Sequence, residues 1–247
     1  MELNDLRREI DGINKQMEAL LTRRMELTDE VARVKREMDL PTLCPEREKE
    51  ILDTAAIRAG KWQYEAKAHM ELLMSLSRRR QRALGTLFAC KRVALIGMPG
   101  CGKTVIGQAL ADYLGCGFTD TDELIAFAEK VSPADIIRFR GVDAFRMMEE
   151  KALLTALGKE NTVIATGGGI VETPACREEL RKSTLCVWID RPLDDLPAEN
   201  RPVTQSEGIE ALYERRAPLY AETACITVSN AGSVWDAVNE IVDQIAR

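Results

Sequence analysis

Apolar residues at Leu6, Ile10, Ile13, Met17 and Leu20, then Leu27, Val31 and Val34, recur at alternating spacings of three and four. Residues so spaced share one face of an α-helix, so the pattern predicts one long amphipathic helix closed before Pro41. The position that should continue the stripe between Leu20 and Leu27 is held by Arg24. Beyond the break from Pro41 to Pro45, Glu46-Arg47-Glu48 opens a short second helix ending near Gly60. A third runs from about Tyr64 to Leu84, with Leu72, Leu73, Leu76 and Leu84 as apolar contacts and Gly85 as its stop. The first helix, about 34 residues, projects roughly 50 Å at 1.5 Å per residue. Three such helices make a poor core for a monomer, so a partner chain is expected.

From Arg92 the period changes. Arg92–Ile96 is a short apolar run of strand type, followed by helical periodicity from Val105 to Leu114. Phe118 to Asp122 ends a second strand and leads into a Glu123 to Lys130 helix. Thr162–Thr166, Leu185–Ile189 and Ile226–Val228 supply three more strands. The alternation predicts an α/β domain with a five-stranded parallel sheet covered by helices and ligands at the strands' C-terminal ends. The organisation read from this is two domains: an all-α three-helix module over 1–86, a short linker at 87–91, and the α/β domain over 92–247.

Composition excludes several classes of function. Residues 1–90 carry 17 Lys+Arg against 16 Asp+Glu, and the remainder 17 against 24, so neither part has a nucleic-acid footprint. The seven cysteines are scattered without a C-x-x-C pair and His69 is the one histidine, which argues against a disulfide framework or a zinc site. The charged start carries no leader pattern and no apolar run is long enough for a bilayer, so a cytoplasmic protein without membrane partners is expected.

Gly97-Met98-Pro99-Gly100-Cys101-Gly102-Lys103-Thr104 matches G-x-x-x-x-G-K-[ST] without a mismatch, between a strand and a helix. That context turns backbone N–H groups onto phosphate oxygens at a helix N-terminus. Lys103 then reaches the β- and γ-phosphates, and the Thr104 hydroxyl ligates Mg²⁺. The nucleotide-binding set is Gly97, Gly100, Cys101, Gly102, Lys103, Thr104 and Val105. Asp120 and Asp122, two apart at a strand's end, face the same side, one suited to the metal and one to the phosphoryl acceptor. Asp122 alone could instead cap the next helix. Arg146 and Glu149 lie one turn apart on a helix, as surface pairs often do. Gly167-Gly168-Gly169 ends a strand and leaves bare backbone for a ligand. In the helical module, Arg24 calls for an anionic partner, a neighbouring glutamate, or a place at the stripe's edge from which to snorkel. Arg78-Arg79-Arg80 reads as a solvated face.

The phosphate loop, Asp-x-Asp, Phe145-Arg146-x-x-Glu149, the triple glycine, Asn200-Arg201-Pro202 and Arg216-Ala-Pro-Leu-Tyr220 occur in the order carried by shikimate kinases, and residues 91–247 resemble that family throughout. The resemblance implies ATP-dependent phosphorylation of the 3-hydroxyl of shikimate. Asp122 would hold and deprotonate that hydroxyl, Arg146 and Arg216 would bind the carboxylate, Gly168 and Gly169 would contact the ring, and Glu149 would orient Arg146. Asp120 with Thr104 would serve Mg²⁺, and Arg201 on a closing lid would reach the transferring group. The stretch before Arg201 is shorter than the usual lid, and Val142 stands where a glutamate is common.

Residues 1–90 resemble the all-helical chorismate mutases, intertwined homodimers that convert chorismate to prephenate. The match rests on Arg7, Arg24, Lys35, Arg47 with Glu48, and Ser77 with Gln81. It implies that cations fix the two carboxylates, that Lys35 and Gln81 stabilise charge on the breaking ether oxygen, that Glu48 anchors the hydroxyl, and that no cofactor is needed. Arg7 precedes Arg24 by 17 residues, roughly 25 Å along a straight helix, so a ligand touching Arg24 must take Arg7 from a partner chain. Cys44 replaces an aspartate found in some relatives. Together the resemblances imply a bifunctional enzyme of aromatic amino-acid biosynthesis, dimeric through its N-terminal helices, with ATP, shikimate and chorismate as its small-molecule partners. The alternative is an active kinase whose helical module only regulates or dimerises.

Overall fold

The structure, a computed structural model, describes residues 2–197, 203 and 208–246. The chain divides between Gly85 and Thr86 into two compact units. The first is helical, with α1 (Leu3–Glu37), α2 (Pro45–Ala59), a 3-10 turn at Gly60–Trp62, and α3 (Gln63–Cys90) as far as Gly85. Pro45 fills the first position of α2, where its missing N–H is not needed. Gly60, at φ +57°, turns the chain towards α3.

The expected stop at Gly85 is not observed. Gly85 carries no positive φ, α3 continues to Cys90, and Lys91 at φ 62° ends it immediately before the first strand. A glycine inside a helix costs about 1 kcal/mol relative to alanine, which strong helix formers on both sides can offset. The stripe on α1 is real but uncovered: Leu6, Ile10, Ile13, Met17, Leu20, Leu27, Val31 and Val34 are between 43% and 70% exposed.

The second unit is a five-stranded parallel sheet of β1 (Arg92–Ile96), β2 (Gly117–Asp120), β3 (Thr162–Ala165), β4 (Leu185–Asp190) and β5 (Ile226–Ser229), in the order β2-β3-β1-β4-β5. The central strand registers Val93 opposite Val163 on one side and Leu185 on the other. Its Val93, Ala94, Leu95 and Ile96 are fully buried. Helices α4 (Lys103–Leu114), α5 (Thr121–Glu129), α6 (Pro133–Leu157), α7 (Pro174–Ser183), α8 (Ile209–Thr223) and α9 (Val234–Ile245) accompany the sheet. The chain leaves β1 towards β2 and leaves β3 towards β4, so the crevice between the ends of β1 and β3 is the switch point at which such sheets bind ligands.

Two local features aim the site. Gly107 brings α4 so close to β2 that an added Cβ would lie 2.7 Å from the Phe118 ring. Gly141, at φ 82°, breaks α6 and redirects the half that carries Arg146 and Glu149. No described helix is long and apolar enough to cross a membrane.

Candidate active sites

At the end of β1 the glycine-rich loop closes around its own lysine. Lys103, the first residue of α4 and 7% exposed, donates to the carbonyls of Gly97 and Met98, each at 2.9 Å. Gly97, at φ 143°, faces the Ile189 carbonyl so closely that no Cβ could fit. Cys101 is wholly buried within the loop. Asn230, beyond β5, donates to the Cys101 carbonyl at 2.7 Å and braces the loop, a role the sequence did not suggest.

Asp120 and Asp122 differ from expectation. Strand β2 ends at Asp120, and Asp122 already lies in the first turn of α5. The cap is Asp120, whose Oδ1 accepts from the N–H of Asp122 at 2.8 Å and of Glu123 at 3.4 Å. Its Oδ2 accepts from the Thr104 hydroxyl at 2.7 Å. A hydroxyl beside a carboxylate offers two hard oxygen donors, which suits Mg²⁺ completed by phosphate oxygens and water. No described cluster of three or more His, Cys, Asp or Glu could hold a metal by itself.

Facing the loop is a cavity of about 520 Å³ whose lining includes Lys103, Asp122, Arg146, Gly168, Gly169 and Arg216. Arg146 donates to Glu149, one turn along α6, and also to Glu172, a partner not foreseen. Glu172 closes the short turn after the glycines and further accepts from Arg216 Nη2 at 2.8 Å and Arg215 Nε at 2.9 Å. These cations hold its carboxyl below the usual range despite burial. Glu149 is the opposite case: burial, with Asp122 nearby, pushes its carboxyl up to about 7 against the pull of Arg146 and Arg216.

The glycines make room for these groups. A Cβ on Gly167 would meet Glu149 and Asp122, one on Gly168 would meet Pro99, and one on Gly169 would overlap the Arg146 guanidinium. Tyr220 is buried and donates to the Gly168 carbonyl, which fixes the glycine turn from α8. Val105 and Val142 also line the cavity. Arg201 lies outside the described residues.

The helical unit has its own cleft, of about 410 Å³, lined by Arg24, Lys35, Arg47, Glu48, Ser77 and Gln81, with Cys44 and Arg78 beside them. Arg24 is half-buried, and burial lowers its pKa. Among the described residues no carboxylate pairs with it; it donates instead to Ser77 Oγ at 2.5 Å and the Leu73 carbonyl at 3.0 Å. Lys35 donates to the Thr42 carbonyl at 2.6 Å. The Gln81 Oε1 is buried, with no hydrogen-bond partner among the described residues. Arg47 is exposed and pairs with Glu50 at 2.6 Å, whereas Glu48 pairs with Arg78 at 2.5 Å. Arg7 is exposed and does not line this cleft.

The arginine run is therefore not simply a solvated face. Arg78 enters the cleft, and Arg80, 7% exposed, forms a two-pronged pair with Asp29 at 2.7 Å through each prong.

Comparison with known proteins divides at the same place. A family model of shikimate kinase matches residues 99–246, and one of chorismate mutase type II matches residues 6–82. A shikimate kinase of Clostridium botulinum is 36% identical over 157 residues, covering 61% of this chain and 94% of that protein. One from Symbiobacterium thermophilum is 33% identical over 165 residues, covering 62% and 95%. Among solved structures, shikimate kinase from Acinetobacter baumannii in complex with shikimate aligns with a TM-score of 0.61 at 29% identity, over 66% of this chain and 96% of that one. The Aquifex aeolicus shikimate kinase aligns with a TM-score of 0.56 at 30% identity, over 61% and 94%.

Proposed function

The chain belongs to the shikimate kinase family and carries a chorismate mutase type II domain ahead of the kinase, and we propose that each unit works through its own cleft. It is a bifunctional enzyme of the shikimate pathway, phosphorylating shikimate with ATP and rearranging chorismate to prephenate.

In the kinase unit, the observation that carries the assignment of residues is the convergence of Arg146 and Arg216, from separate helices, on a cavity that also holds Asp122 and the Lys103 loop. A hydroxylated ring with one carboxylate suits that layout. Arg146 and Arg216 bind the carboxylate, Gly168 and Gly169 border the ring, and Asp122 accepts the proton of the attacking hydroxyl. On binding of ATP, Lys103 exchanges the two loop carbonyls for phosphate oxygens, a charged interaction that grows as negative charge develops. Thr104 and Asp120 would hold Mg²⁺, which would supply positive charge against the phosphates. Arg201 is assigned to the transferring phosphoryl group.

In the helical unit, Arg24, Arg47 and a partner's copy of Arg7 fix the two carboxylates of chorismate. Lys35 and the N–H of the Gln81 amide face the ether oxygen as donors, and Glu48 faces the hydroxyl. The reaction is unimolecular, so restricting conformation and placing donors suffices. A homodimer through α1 is supported by its uncovered apolar stripe and by the position of Arg7, and would give twice the 27.6 kDa chain mass in sedimentation. A cytoplasmic location is supported by seven unpaired cysteines.

The test follows chorismate consumption and shikimate-dependent ADP release in the intact chain and in Arg24→Ala. Loss of chorismate turnover by roughly 100-fold with ADP release unchanged supports both assignments. Absence of chorismate turnover from the unaltered chain would leave the helical unit a binding or dimerising module.

A further inference from the structure

The kinase cavity contains two arginines whose shared neighbour has so far no role. Arg146 comes from α6 and Arg216 from α8, yet both guanidinium groups donate to the same oxygen, Oε2 of Glu172. The other oxygen, Oε1, accepts from Arg215. Arg146 and Arg216 line the cavity; Glu172 does not. The carboxylate is thus held by the two cations without bordering the cavity they line. Guanidinium groups that share one acceptor atom are close enough to repel each other strongly in a partly buried site. Arg216 is only 2% exposed, and among the described residues its buried Nε has no hydrogen-bond partner, a donor still to be satisfied. The opposite neighbour, Glu149, touches Arg146 alone among the described arginines.

We propose that Glu172 is the positioning residue of the carboxylate subsite. It neutralises the repulsion between Arg146 and Arg216, sets the spacing at which both can grip one substrate carboxylate, and thereby determines affinity for a carboxylated ring without touching substrate or taking part in phosphoryl transfer. The inference rests on the shikimate kinase reading and names the residue on which its acid specificity depends. A neighbour of this kind shows up in substrate affinity more than in turnover, because a saturating carboxylate can itself take over the neutralising role.

The test is steady-state kinetics of the full-length chain with Glu172→Gln and Glu172→Asp, using shikimate and its methyl ester. For Glu172→Gln the expected result is a KM for shikimate raised about tenfold or more, the loss typical of a charged hydrogen bond. The kcat and the KM for ATP stay near their original values, and the preference for shikimate over the ester shrinks. Glu172→Asp, which keeps the charge on a shorter arm, recovers part of the affinity. Should the glutamine variant fold poorly, the aspartate variant decides alone, with a raised KM at preserved kcat as the expected result. An unchanged or lowered KM, or a kcat that falls in step with kcat/KM, overturns the positioning role. Failure of the unaltered chain to phosphorylate shikimate overturns the kinase reading instead, so the two failures are distinct.

Discussion

Replacing Glu149 by glutamine removes an ion pair and is expected to stabilise the protein at neutral pH. The side chain is 1% exposed, and burial lifts its pKa from 4.5 to about 7 even with Arg146 in contact. Between those two values the native state holds a proton that the unfolded chain has lost, so stability falls as pH rises through the window and is level above it. A gap of about 2.5 units between the two values corresponds to roughly 3 kcal/mol. Glutamine has the same shape and no proton to lose. Urea unfolding of both proteins at pH 5, 6, 7 and 8 measures the difference. The transition that moves is assigned to the kinase unit, since a chain of two units need not unfold in one step. The variant should match the original to within about 1 kcal/mol at pH 5 and exceed it by roughly 3 kcal/mol at pH 8. A difference that does not change with pH, or an original that gains on the variant as pH rises, would refute the reasoning and show that the Arg146 attraction outweighs burial. The groups facing Glu149 are Arg146, Arg216, Asp122 and Cys176, and burial pushes the Cys176 thiol up to about 12, outside this range. Greater stability should come with weaker shikimate binding, because a neutral amide orients Arg146 less firmly.

Lys103→Met should lower shikimate phosphorylation roughly 100-fold or more while leaving chorismate turnover intact, as measured by paired assays on one preparation. Chelation of divalent cations should have the same selectivity, abolishing ADP release and sparing the rearrangement, with activity restored by added Mg²⁺. Gly107→Ala places a Cβ 2.7 Å from the Phe118 ring and 3.2 Å from Leu95, so it should destabilise the kinase unit by about 1–3 kcal/mol despite the better helix former. An unchanged melting temperature would mean that Phe118 can step aside.

What could be read from the chain was what its neighbours in sequence determine. The phosphate loop, the strands and the stripe on α1 follow from local spacing, and each is present. What escaped reading depends on partners distant along the chain. Arg80 meets Asp29 and Arg78 meets Glu48 at separations of 51 and 30 residues, and Glu172 meets Arg146 and Arg216 at 26 and 44. No periodicity reports such pairings, so the arginine run looked solvated and Glu172 passed unnoticed. The fall of the helix cap to Asp120 and not to Asp122 has a different origin. Both are good caps, and the end of β2 decides between them, because its last residue is the one with extended backbone dihedrals. Gly85 failed as a stop because glycine permits a left-handed turn without requiring one.

The long reach of α1 has a genetic consequence. In the proposed dimer, each chorismate site takes Arg24 from one chain and Arg7 from the other. A chain lacking Arg7 and a chain lacking Arg24 are each inactive alone. Paired, they place both lesions in one site and leave the second site with both of its native arginines. Two broken alleles in one cell should therefore complement, with at most half the sites of each mixed dimer at work, while two alleles broken at Arg24 never can.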